Sequence, residues 1–112
     1  MSTLLRERAR RGAAWLDSTM PGWHRRISTE TLDIEDTNTC IIGQLFGDYN
    51  DWSKDHHRND FSVRHGLHIR HEGAKNWRKQ TAAWIEQVNN RLRSDEPLTA
   101  VRRAIFKHAK VA

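Results

Sequence analysis

Thr39-Cys40-Ile41-Ile42-Gly43-Gln44-Leu45-Phe46-Gly47-Asp48-Tyr49 is the one run of this chain in which apolar side chains cover nearly every side. Ile41, Leu45, Tyr49 and Trp52 follow one helical stripe, and Ile42 and Phe46 lie on a second. A helix that is apolar on two sides is buried against more than one neighbour. Gly43 and Gly47 stand four apart, so they open a groove in which another backbone can come close. Each glycine also costs the helix about 1 kcal/mol relative to alanine, so tertiary packing must hold the segment. The spacing therefore predicts a central helix, capped by Thr37, Asn38 or Thr39.

The rest of the chain supplies partners for it. Leu5, Ala9, Gly12, Ala13 and Leu16 recur at helical spacing over 2–19, with Trp15 flanking them. Met20-Pro21-Gly22-Trp23 ends that helix, because proline denies the preceding residue helical angles and glycine turns the chain. Trp77, Thr81, Trp84, Ile85, Val88 and Leu92 mark one face of a helix over 72–92. Ser94-Asp95-Glu96-Pro97 carries both capping residues and a first-turn proline. It predicts a break there and a separate basic helix over 94–112, with Leu98, Val101, Ile105 and Ala109 as its apolar stripe.

Residues 50–72 form a polar, histidine-rich segment. Phe61, Val63, Leu67 and Ile69 alternate with polar residues except at Gly66, which suits a loop, a short hairpin or a crossing strand. The expected architecture is mainly α: one domain over 1–112, a small bundle of about four helices with that segment between the central and third long helices.

The chain has 112 residues and a formal charge of +5. The charge is segregated: six basic and two acidic residues over 1–26, two and eight over 27–60, eleven and four over 61–112. No apolar run approaches the roughly 18 residues that cross a bilayer, so no membrane partner is expected. The single Cys40 forms no internal disulfide and suits a reducing cytoplasm. It follows the capping residues of the most apolar stretch, which suits a buried structural thiol better than a nucleophile.

His65, His68 and His71 are three apart, which would converge on a metal if they shared a helix face and scatter on a strand. Gly66 argues against the helix, and the paired-ligand spacing of zinc sites is missing. No cofactor is expected. No phosphate loop, dinucleotide fingerprint or nucleophile elbow is present, and no catalytic residue is assigned. Arg91, Arg93, Arg102, Arg103, Lys107 and Lys110 supply a basic helix suited to nucleic-acid backbone contact, without an Asn or Gln placed to read adenine.

Gly12-Ala13-Ala14-Trp15-Leu16-Asp17, Pro21-Gly22-Trp23, Leu32-Asp33-Ile34, Cys40-Ile41-Ile42-Gly43-Gln44-Leu45-Phe46-Gly47 and Thr81-Ala82-Ala83-Trp84, in this order, resemble a group of small proteins of actinobacterial bacteriophages and prophages. The likeness covers roughly residues 10 to 90, and the Cys-Ile-Ile-Gly-Gln-Leu-Phe-Gly run is its most specific part. It implies a phage or prophage origin and a place in the host cytoplasm, and it carries no activity. The segment after Tyr49 is richer in histidine and charge than the group, and the basic tail past Asn90 is additional.

These readings order the functions. First comes a non-enzymatic interaction module that binds a host or phage protein, with an exposed Trp52 and with Arg6 and Arg10 as anchors. A nucleic-acid binder using the basic final helix comes second, and a metal-dependent enzyme using the histidine segment third.

Overall fold

In a computed structural model, the chain is a helical bundle. The structure describes the backbone of residues 3–56, 59–69 and 74–111, and the side chains of 4–54, 60–69 and 75–95. The elements in order are α1 (Thr3–Thr19), a 3-10 turn (Trp23–Arg26), α2 (Ile41–Phe46), α3 (Tyr49–His56), α4 (Asn59–Arg64) and α5 (Ala74–Val111). There is no strand among the described residues.

α1 buries the stripe the spacing predicts: Leu5, Ala9, Ala13 and Leu16 are all but inaccessible. They pack on α5. The Leu5 carbonyl accepts from Gln80 Nε2 at 3.0 Å, and Asp17 pairs with Arg91 at 2.8 Å. A start-to-start and end-to-end match of this kind means that the two helices run in the same direction. Parallel neighbours cannot be joined by a short turn, so the intervening chain must travel back along them. The 3-10 turn begins that return beside Arg91 and Asp95. Ile34 N–H then donates to Thr81 Oγ1 at 3.0 Å, nearer the start of α5.

Two glycines make the parallel contact close. A Cβ on Gly12 would lie 2.1 Å from the His65 carbonyl oxygen and 2.7 Å from the Trp84 ring. Gly66, at φ 72°, ends α4 in the left-handed conformation that favours glycine. Leu67 N–H bonds to Ser62 O and Gly66 N–H to Val63 O, the paired bonds of a Schellman turn. The turn aims the Gly66 carbonyl at Trp84, whose indole N–H donates to it at 2.6 Å.

The expected central helix is two helices. Gly47, at φ 103°, ends α2, and its N–H bonds to the Gly43 carbonyl. Asp48 then starts α3 by accepting the Asp51 N–H on Oδ1 at 3.1 Å. Gly43 does have the role its spacing suggests, since a Cβ there would meet the backbone of Asn38 at 2.4 Å. The cap of α2 is none of the three expected residues. Cys40 Sγ accepts the Gly43 N–H at 3.2 Å.

Two further expectations are corrected. Residues 50–72 contain α3 and α4 in place of a loop or hairpin. The break at 94–97 is absent, so that 72–92 and the basic helix over 94–112 merge into one helix of 38 residues, α5. The reason lies in the two capping side chains. Ser94 Oγ donates back to the Asn90 carbonyl within the helix, and Asp95 is held by His24 and Arg25. Neither caps a new start, so Pro97 is carried inside α5.

Gly12→Ala tests this packing. Alanine raises helix propensity by about 1 kcal/mol, but overpacking here costs about 1–3 kcal/mol. The expected outcome is a net loss of stability in urea unfolding; a more stable variant would contradict the contact of α1 with Trp84.

Candidate interaction surfaces

Trp52 of α3 and Phe61 of α4 gather on Trp15. Trp52 lies 6.4 Å and Phe61 4.9 Å from its ring. Trp52 is therefore part of the core, at 8% exposure, and its expected role as an exposed anchor is corrected. The physical reason is Asp48: the helix it starts places Trp52 three residues after the buried Tyr49, on the inner face. The ring that reaches solvent is Phe46, which stacks on Trp52 at 6.2 Å and is 45% exposed.

The other two anchors are surface residues with partners inside the chain. Arg6 pairs with Glu86 at 2.7 Å, tying α1 to α5, and Arg10 pairs with Glu7 at 3.3 Å on its own helix. Exposed pairs of this kind contribute little, about 0–1 kcal/mol each, so both arginines keep most of their capacity for another partner.

His65 and His68 do not converge. His65 donates from Nδ1 to the Phe61 carbonyl at 2.8 Å and stacks on the Phe61 ring. Burial lowers its pKa, the helix carbonyl opposing that shift. His68 stacks on Tyr49 at 5.4 Å and meets Trp77 edge-on. His71 lies outside the described residues. Among the described residues no three His, Cys, Asp or Glu side chains are placed to hold a metal ion. Cys40 is buried, and that burial raises its pKa, so the thiol form that caps α2 is favoured.

The basic residues of α5 divide into two sets. Arg91 is bound to the body: two hydrogen bonds to Asp17, at 3.0 and 2.8 Å, and a guanidinium 5.5 Å from the Trp23 ring. Arg93 bonds to Asn90 one turn back. Asp95 then receives His24 Nε2 at 2.7 Å and Arg25 Nε at 3.0 Å. Beyond it α5 continues for sixteen residues to Val111, about 24 Å at the helical rise. The side chains of Arg102, Arg103, Lys107 and Lys110 lie outside the described residues, but their backbone belongs to that helix. The sequence from Pro97 to Ala112 holds these four cations and no acid.

At the other end of α5 the returning chain leaves a groove of about 620 Å³. Its floor is Leu32, half-buried Trp77 and Thr81; its rim carries exposed Glu30, Asp33 and Glu35 beside Arg78. None of the three carboxylates has an ion pair among the described residues. Nothing in composition revealed this groove, because its walls are more than forty residues apart in sequence.

No helix among the described residues is long and apolar enough to cross a membrane.

The ties of α5 have a pH signature. The Arg91 hydrogen bond holds Asp17 below its ordinary pKa of 3.8, and His24 followed by Arg25 does the same for Asp95. A carboxylate depressed on folding stabilises the fold above its unfolded pKa, and the contribution fades as pH falls through the folded value. The urea midpoint should fall on acidification below about pH 4, and Asp17→Asn should lower the neutral-pH midpoint and flatten that fall. An acid limb unchanged in the variant would contradict the role of the pair.

No protein-family model, no curated protein and no solved structure matches the chain.

Proposed function

We propose that the protein is a non-enzymatic interaction module of phage type, acting in the host cytoplasm by binding an acidic host or phage macromolecule with the second half of α5. The observation that carries this reading is the continuity of α5. The helix does not stop at Asp95, where its last described tie to the body lies, and the sequence past Glu96 is cationic without an acid. A helix that grows out of a folded one needs no new nucleus, so the four cationic positions share one backbone with the packed half of α5. Phage origin rests on the resemblance of residues 10–90, and the cationic tail is what this chain adds to that pattern.

Two acidic partners fit such an array, an acidic protein surface and a nucleic-acid backbone. The second is supported by the same four cations, whose chemistry suits phosphates and lacks base-reading amides. Salt separates them. Phosphate contact releases condensed counterions, so affinity for a mixed-sequence duplex should fall with a log–log slope of about one per contact.

Fluorescence anisotropy with a labelled duplex, from 25 mM salt upward, tests this. Arg102→Glu with Arg103→Glu should weaken binding at least tenfold and reduce the slope by about 2. If wild type binds no duplex at low salt, the nucleic-acid reading is lost. If capture from host lysate is then also unchanged by the same double substitution, the arm is not the binding element and the proposed function fails.

A further inference from the structure

The acidic groove and the cationic arm lie at opposite ends of one continuous helix. Trp77 and Arg103 are 26 residues apart on α5, about 39 Å at 1.5 Å per residue. A continuous helix cannot fold back over that distance, so the groove of one molecule cannot take its own arm. A second copy can supply it.

We propose that two copies pair antiparallel along α5, each laying its cationic arm across the Glu30–Asp33–Glu35–Trp77 groove of the other. Three observations converge on this arrangement. The first is charge: a groove rimmed by three carboxylates and a single guanidinium faces a segment with four cations and no acid. The second is register. At 100° per residue, the positions of Thr81, Leu92, Arg103 and Lys110 fall within about 40° of one another around the helix, so Thr81 of the groove and two of the four cationic positions share one sector of α5. A two-fold axis at Leu92 then sets position 103 opposite Thr81, because the two are equally distant from residue 92. The third is Leu92 itself, which is 39% exposed. A lone exposed leucine is ordinary; one at the centre of this register would meet its own copy across the axis and leave water.

The contact is isologous, the same patch on both subunits, and so it closes at two. The arm cannot lie in the groove and on an acidic macromolecule at the same time. Self-pairing therefore competes with the binding proposed above, and the groove is its regulator.

Sedimentation equilibrium of the full chain at low salt tests the pairing. Wild type should sediment at twice the chain mass and dissociate as salt rises. The exposed triple change Glu30→Lys, Asp33→Lys, Glu35→Lys should give monomer. Arg103→Glu, Lys107→Glu, Lys110→Glu should also give monomer. An equimolar mixture of the two should restore the dimer, since each now complements the other at both ends. Circular dichroism checks that both variants are folded, and Leu92→Arg, a single exposed change, should weaken pairing at least tenfold if either triple is not. A monomeric wild type at low salt, assemblies larger than two, or a mixture that stays monomeric would overturn the proposal. The groove variant also separates the two readings: it should bind duplex at least as tightly as wild type if the arm binds nucleic acid, whether or not the dimer exists.

Discussion

The Trp84 indole sits between two glycines, and most of the fold follows from that placement. Its ring occupies the space a Gly12 side chain would take, its N–H is satisfied by the Gly66 carbonyl, and its edge meets Trp23 at 5.7 Å. Burying an indole is favourable for its area and costly for its one donor, and the Gly66 carbonyl meets that cost in a dry site. The contact joins α1, the end of α4, the 3-10 turn and α5 at one point. These residues come from three separate stretches of the chain, 12–23, 66 and 84, so the bundle cannot form by local contacts alone. Three nearby polar atoms lack a partner: Gln80 Oε1, Ser62 Oγ and Arg8 Nη1 are buried without a hydrogen bond. The apolar packing around Trp84 must outweigh what those groups lose.

The segregated charge of the chain serves the fold in part. Arg6, Arg25 and Arg91 each reach across to an acid on another element, at Glu86, Asp95 and Asp17. These pairs align α5 along α1 and fix the 3-10 turn, but they use up little of the acidic middle. Glu30, Asp33 and Glu35 stay on the surface, gathered by the loop that returns along α5. The sequence past Pro97 adds four cations and no acid. The acidic groove and this basic stretch belong to opposite ends of α5.

The stripes of α1 and of the first half of α5 were legible because each buries one face at a single period, and the burial of Leu5, Ala9, Ala13 and Leu16 follows that period. Gly43 was legible as a place of close approach for the same reason. What misled were residues with two local roles. Asp48 lies within the run that reads as one central helix and is the cap that starts α3, so Trp52 turned inward where solvent was expected. Phe61, Val63, Leu67 and Ile69 alternate as a strand does, yet Gly66 closes a helix there, and the alternation is an accident of α4 running into a Schellman turn. Ser94, Asp95 and Pro97 have the composition of a helix start, but their side chains are engaged elsewhere. The groove was illegible throughout, since it joins residues 30–35 to 77–81 and no periodicity links them.

Pro97 shows why the length of α5 matters. Proline inside a helix costs about 3 kcal/mol, which exceeds what propensity alone recovers over the residues that follow. An isolated helix of the fourteen residues past Pro97 is already marginal in water. The arm is helical because the half before it is fixed by Trp84, Val88 and the Asp17, His24 and Arg25 ties, so that only propagation past the proline remains to be met. A contact that engages residues 97–111, whether with a phosphate backbone or with a second copy, adds its free energy beyond the proline, where the helix has no described tie to the body. Binding and the persistence of the arm are thereby linked, and the partner that engages it most fully also does most to hold it as a helix.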